Sequence, residues 1–312
     1  IGAPLILEWT HQSTGICNRT MITRKMEFYS NCYRLAAALY LPDDYEEGQK
    51  LPCIIPNSGY MGLNEIYPAL FARALTRRGF ACFGFDYRGF LDNGGPAGVC
   101  KLDEQVEDIR NAVTFAGTLA EVDADRIGLL GWGMAAGLVA RAAELDCRVK
   151  AVAGLNGFYC GARWLSQVFS YTDFVKMKRE IEAESVRLVK EGMRRFDNPF
   201  HFYPLDPDTE DVVKDNLYTV KGYGQEISLE LGQSLMEFDA EKDIEDLKVP
   251  VFVGHGKDNL LHPISEAEAF FEKVEGEMMF YVMDVKYIDF MVGGDVRLER
   301  LAYRLGLFFG GM

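Results

Sequence analysis

Residues 126–137 read R-I-G-L-L-G-W-G-M-A-A-G. An apolar strand over 127–130 runs into a tight Gly131-Trp132-Gly133 turn, and a small-residue helix starts near Met134. That succession is the setting of a nucleophile elbow, usually G-x-S-x-G, whose sharp turn presents one reactive side chain. Gly133 stands at the serine position, so the turn has no side chain to present. What it keeps is the backbone amide of Met134 and the helix N-terminus behind it, which suit a developing negative charge. A glycine-rich turn also lets strand and helix pack closely, and that structural reading stands beside the chemical one.

Other reactive side chains are few. His262, in D-N-L-L-H-P, is the best acid–base group, against the plainer reading of a loop histidine packed on Pro263. His255, between two glycines at a strand end, reads first as structural. The turn Asn57-Ser58-Gly59-Tyr60 aims main-chain N–H groups at the same region as Met134, and together they form an oxyanion hole. Ser58 is a substitute nucleophile only as a minor reading. Cys160 would need a nearby base and a lowered pKa, so buried packing is favoured. Asp86 and Arg88 in F-D-Y-R-G-F read as braces of the surrounding loop. The histidines His11, His201, His255 and His262 show no metal-ligand spacing, so neither a metal nor another cofactor is expected.

The elements that must position these groups follow from pattern. Strands are expected over 26–30 and 35–41 (a hairpin turning near Asn31), 51–56, 80–85, 127–130, 149–155, 249–253 and 278–282. Helices are expected over 66–78, ending at Gly79, over 102–119 and over 296–309. Strands alternating with helices give an α/β fold, a mostly parallel sheet covered on both faces. From 157 to 246 the rhythm lapses into a long charged helix (173–195), a proline- and aromatic-rich stretch (198–207) and a further helix (226–238). The expected division is an N-terminal extension (1–23), a core (24–156 and 247–312) and a helical cap (157–246) over the sheet's C-terminal edge, where open α/β folds bind ligands. Tyr60, Phe158, Tyr159, Trp164, Phe200, Phe202 and Tyr203 fall in the pocket-facing loop and the cap, which suits an apolar or aromatic ligand.

Composition bounds the rest. The 312 residues are 48% hydrophobic and 12% aromatic, enough for a substantial core. A net charge of -14 disfavours nucleic acid and anionic membranes as partners. No apolar run reaches the roughly 18 residues of a membrane span. No signal-peptide pattern is visible after Ile1. The seven cysteines (17, 32, 53, 82, 100, 147 and 160) are odd in number and lack C-x-x-C spacing, which favours reduced, buried thiols in a cytoplasmic protein. A small-molecule ligand is the expected partner, and a homodimer is compatible.

Several stretches in order resemble the α/β-hydrolase superfamily, within it the esterase-like and polyketide-processing group. They are R-L-A-A-A-L-Y-L-P (34–42), P-N-S-G-Y-M-G (56–62), F-D-Y-R-G-F (85–90), V-D-A-D-R-I-G-L-L-G-W-G-M-A-A-G (122–137), V-F-V-G-H-G-K-D (251–258) and V-K-Y-I-D-F-M (285–291). The resemblance implies that Asp258 is the triad acid, which would orient a histidine, and that Tyr287 falls at the histidine position. The Ser–Asp–His order therefore reads Gly133, Asp258, Tyr287. Tyrosine titrates near ~10 and is a poor base at neutral pH, though it can donate a proton. Two departures together favour a natural, non-standard site over a single engineered change.

The expectation is an enzyme with a lidded pocket for a small, mainly apolar carbonyl or carboxylate compound, working without an acyl-enzyme. Isomerisation, cyclisation, elimination, carbon–carbon cleavage or water attack would use His262, Asp258 and Tyr287. Asn57, Ser58, Gly59, Tyr60, Trp132, Met134, Phe158, Tyr159, Cys160 and Trp164 would surround the substrate. The alternatives are a non-catalytic small-molecule binder, and a serine esterase whose serine was replaced by glycine.

Overall fold

The computed structural model describes residues 21–289 and 295–312. The first hairpin pairs β1 (Ile22–Ser30) with β2 (Tyr33–Leu41) around Asn31 and Cys32, both with positive φ, at 48° and 65°. Such a two-residue turn matches the right-handed twist of its strands. There follow β3 (Leu51–Asn57), α1 (Tyr67–Thr76), β4 (Ala81–Phe85), α2 (Leu102–Ala116), β5 (Val122–Trp132), α3 (Ala135–Glu144) and β6 (Val149–Leu155). After β6 come α4 (Gly161–Val168), α5 (Tyr171–Glu191), β7 (Phe196–Asp197), α6 (Pro207–Asn216), β8 (Ile227–Ser228) and α7 (Glu230–Glu237). The chain then returns through β9 (Val251–Gly256), α8 (Ile264–Phe271), β10 (Met278–Met283) and α9 (Val296–Phe309).

The main sheet has eight strands in the order β1-β2-β4-β3-β5-β6-β9-β10, antiparallel at β1 and β2 and parallel from β4 onward. This is the α/β-hydrolase fold. The buried stretches 53–56 of β3, 127–132 of β5, 151–155 of β6 and 251–254 of β9 are apolar because helices cover both faces. Because β3, β5, β6, β9 and β10 are neighbours, the loops leaving their C-terminal ends converge on one edge.

Boundaries differ from the expected ones where local chemistry outweighs periodicity. The long helix α5 begins at Tyr171, with Ser170 accepting from the Asp173 N–H at 3.2 Å, and ends at Gly192 with φ +67°. Helices α4 and α6, each ten residues or fewer, fall where the pattern gives no helix. The helix expected over 226–238 divides into β8 and α7.

Arg163 of α4 fastens this region to the core. Its guanidinium bonds both carboxylate oxygens of Glu241 (2.8 and 2.5 Å) and both of Glu266 on α8 (2.6 and 2.9 Å). Lys273 also pairs with Glu241. The cysteines are not uniformly buried, contrary to expectation: Cys32 and Cys147 are exposed, Cys160 is half-buried, and Cys53, Cys82 and Cys100 are buried. His11 and Cys17, nearly all of the expected 1–23 extension, and Phe290 and Met291 lie outside the described residues.

Candidate functional site

β5 leads into the elbow. Gly133 has φ +60°, donates its N–H to Leu155 O at 2.9 Å and accepts from Ala136 N at 3.0 Å. A β-carbon built on Gly133 would overlap the Tyr287 hydroxyl. Positive φ and missing space thus select glycine here for two separate reasons. Tyr287, in the loop after β10, is buried, with its ring 5.6 Å from Trp132 and 5.3 Å from His262, the latter edge-on. Burial holds its phenol far above the ordinary range, opposed by hydrogen bonding from Tyr67 and Trp132. It is a neutral group that can donate a hydrogen bond.

His262 is fully buried beside Tyr287. Its Nδ1 lies 2.7 Å from the main-chain oxygen of Asn156, and its Nε2 lies 2.8 Å from the Tyr203 hydroxyl. A carbonyl can only accept, so Nδ1 carries the proton and Nε2 accepts from Tyr203. Its main chain is equally fixed: the N–H donates to Asn259 Oδ1 at 2.9 Å, and the carbonyl accepts from His255 Nε2 at 2.9 Å. Burial pushes the imidazole down to about 3, against the Asn156 bond, which favours the charged form. His255 is likewise lowered, to about 4, by burial.

The expected pairing of Asp258 with a histidine is not present. Asp258 is exposed, and the imidazole nitrogen it would orient is taken by Asn156. The tight turn after β9 carries the Asp258 main chain to Val285 O at 3.3 Å, and the side chain stands outside the cluster.

Two residues that pattern alone did not single out for chemistry organise the centre. Tyr203 reaches in from the aromatic-rich stretch between α5 and α6 and stacks on Tyr60 at 4.6 Å. Its hydroxyl bridges His262 and the main chain of Met134, and burial keeps it protonated. Asn156, directly after β6, supplies the carbonyl. The sequence marked Tyr203 only as one aromatic among several, and nothing in composition or spacing marked Asn156.

The remaining expected residues separate. Ser58 and Tyr60 line the central cavity, and Tyr60 donates to Pro199 O at 2.6 Å. Gly59 packs on the Trp132 main chain. Phe158 and Trp164 stack at 4.4 Å behind Tyr203 and His262, with Trp164 Nε1 donating to Leu261 O at 2.8 Å. Of the expected residues, Asn57, Gly59, Trp132, Met134, Phe158, Tyr159, Cys160, Trp164 and His262 are not among the cavity walls. Asn57 turns its amide back to Ile55 O (2.7 Å) and Leu130 O (3.3 Å). Tyr159 stacks on Phe270 at 3.8 Å, and Cys160 forms a bridge with Asp239, so neither lines the cavity. Arg88 braces its loop, bonding buried Asp108 at 2.9 and 2.6 Å.

The cavity is small, about 30 Å³, space for a water or two. Its walls include Tyr60, Tyr67, Tyr203, Tyr223 and Tyr287, and no ionised side chain. Among the described residues no cluster of metal-ligating side chains forms, and no helix is long and apolar enough to cross a membrane.

Comparison with known proteins bears on the family and the fold. The family model of the serine aminopeptidases, S33, matches residues 53–283. An uncharacterized Pseudomonas aeruginosa protein, PA2218, is 33% identical over 180 residues, 56% of this chain and 44% of its own length. Its crystal structure superposes with a TM-score of 0.78 at 22% identity, covering 100% of this chain and 99% of that one. The quorum-quenching protein AidA of Acinetobacter baumannii is 31% identical over 128 residues, 41% of each chain. The matched stretch is thus under half the length of both curated relatives. The structure of DcsB with its substrate analogue has a TM-score of 0.77 at 18% identity, covering 93% of this chain and 99% of that one.

Proposed function

The chain belongs to the serine aminopeptidase (S33) family of α/β-hydrolases, and from that premise we propose that it is an enzyme acting on a small, neutral, largely apolar carbonyl compound without an acyl-enzyme. The observation that carries this reading is the unprotonated Nε2 of neutral His262, which accepts from the Tyr203 hydroxyl and through it faces the elbow. A base in that tautomer can take a proton from carbon, from a hydroxyl or from water. Covalent catalysis from the elbow would need a nucleophile at residue 133, where there is none.

A substrate carbonyl that displaced the Tyr203 hydroxyl would meet three groups. His262 Nε2 removes the proton. The Met134 amide and the start of α3 hold the negative charge that develops on oxygen. The Tyr287 hydroxyl donates a hydrogen bond to it. In the closed site burial keeps His262 at about 3, too weak a base for this task. An enolate or alkoxide developing beside it favours the protonated imidazole and raises that value. Asp258, whose side chain is exposed, takes no part in this reading. The uncharged walls favour a neutral carbonyl over a carboxylate, whose charge would be buried without a partner. A cytoplasmic location, with no nucleic-acid or membrane partner, is part of this reading.

The test is turnover of small ketones, lactones and enones in the presence of a fluorophosphonate. Resistance to the inhibitor, loss in His262→Ala and a fall of about 10²-fold in Tyr287→Phe are expected. Unchanged turnover in both variants would overturn the assignment. The nearly filled cavity favours a second reading, a binder without chemistry; tight binding with no product would select it. A serine esterase with one replaced residue predicts that Gly133→Ser hydrolyses p-nitrophenyl esters. We expect that variant to be inactive, because its β-carbon meets Tyr287.

A further inference from the structure

Asn156 makes four hydrogen bonds with four different groups while sitting in a conformation that asparagine rarely adopts. Its φ is +49°, and it is fully buried. Left-handed backbone at a non-glycine residue persists only where the surroundings over-determine it. Here they do so at every polar atom. The N–H donates to Gly254 O at 2.8 Å. The carbonyl accepts from His262 Nδ1 at 2.7 Å. Side-chain Oδ1 accepts from Gly256 N at 2.7 Å, and Nδ2 donates to Tyr287 O at 3.2 Å. One residue at the end of β6 therefore grips both sides of the end of β9, the imidazole and the main chain carrying the elbow-filling phenol.

We infer that Asn156 is the positioning residue of this site: its left-handed main chain aims a carbonyl that holds His262 in the Nδ1–H tautomer, and its carboxamide fixes Tyr287 against Gly133. The carbonyl does the orienting that a carboxylate does in a triad, with one difference. A carboxylate stabilises the imidazolium that forms during proton transfer, whereas a neutral carbonyl does so far less. A histidine held this way stays neutral until a ligand brings charge. The two functions are also separable in sequence. The carbonyl's aim depends on φ, which glycine can reproduce, and the carboxamide's links depend on the side chain, which glycine removes. The catalytic consequence rests on the His262 reading above; the tautomer and its dependence on residue 156 do not.

The test uses the full chain labelled with ¹⁵N-histidine, with His262 assigned by its disappearance in His262→Gln. The wild type should show His262 as a single Nδ1–H tautomer, still neutral at pH 5. Asn156→Gly should keep that tautomer, and Asn156→Ala, which resists left-handed φ, should mix the two. With a substrate in hand, Asn156→Ala should lose about 10²-fold in kcat with a smaller change in KM, and Asn156→Gly should lose less. An Nε2–H tautomer in the wild type, or loss of the native tautomer in folded Asn156→Gly, overturns the inference. So does an unchanged tautomer in folded Asn156→Ala; should that variant not fold, the wild type and Asn156→Gly decide. If turnover proves independent of His262 while the tautomer follows residue 156 as stated, the proposed chemistry fails and the positioning stands.

Discussion

The hydroxyl of Tyr287 occupies the place that a β-carbon on residue 133 would take. Glycine at 133 and tyrosine at 287 are therefore one steric fact: the phenol fits because residue 133 has no side chain. This predicts strong coupling in a double-mutant cycle. Gly133→Ala should destabilise by about 2–4 kcal/mol, from left-handed φ and from overlap. Tyr287→Phe removes the overlapping oxygen, leaving the nearest ring carbon at 3.4 Å. The double variant should then recover about 1 kcal/mol or more relative to additivity, as contacting residues do. Urea denaturation of the four proteins measures it, and simple additivity would count against the overlap.

His262 and His255 make stability depend on pH in a defined direction. Burial lowers both, from the ordinary 6.5 to about 3 and about 4. Their contribution is present above 6.5 and is lost as pH falls, because the unfolded chain takes up protons that the fold refuses. Two buried acids act oppositely: burial raises Glu144 to about 7 and Asp86 to about 6, so their contribution is present at low pH and lost as pH rises. These four groups offset one another near pH 5, and the informative quantity is a difference. The stability gap between wild type and His262→Gln should shrink by up to about 1.4 kcal/mol per pH unit as pH falls below 6.5. A gap independent of pH would mean that His262 is already protonated or exposed.

Arg163 faces two carboxylates whose side chains are 2% and 0% exposed. Removing it strands Glu266 and leaves Glu241 with Lys273 alone. Arg163→Met should cost about 3–5 kcal/mol. Arg163→Lys should recover little, since one ammonium cannot make two bidentate pairs. Glu241→Gln with Glu266→Gln in the Arg163→Met background should restore much of the loss. Thermal melts of these variants test the fastening of α4 to α8.

Thiol reactivity gives a direct reading of burial. In a Cys17→Ser background, Cys32 and Cys147 should react rapidly with a disulfide reagent at pH 8, and half-buried Cys160, its pKa raised chiefly by burial, more slowly. Cys53, Cys82 and Cys100 should react only on unfolding; burial pushes the first and last up to about 12. Rapid labelling of Cys160 would revive it as a nucleophile.

The fold was legible because its signals are local and repeated. Apolar runs at 149–155 and 278–282, and the closing helix at 296–309, fall within a residue of β6, β10 and α9. The elbow was legible because Gly131 and Gly133 punctuate an otherwise apolar run. The centre was less so. Asp258 sits where order along the chain suggests an acid, but the turn after β9 directs it outward. His262 was found, but its partner is a main-chain carbonyl, and main-chain atoms leave no mark in residue type. Tyr203 lies 59 residues from His262 along the chain, brought there by aromatic packing that no periodicity encodes.

Two of the chain's three tryptophans flank this centre, Trp132 against Tyr67 and Tyr287, and Trp164 against Phe158, Tyr203 and His262. Both indoles are fully buried among stacked rings. Any compound that pushes Tyr203 aside must break its 4.7 Å ring contact with Trp164, so ultraviolet emission and near-ultraviolet circular dichroism should change on its arrival whether or not it reacts. The molecule carries its own optical gauge of occupancy, and an unlabelled compound library can be screened against it before any product is known.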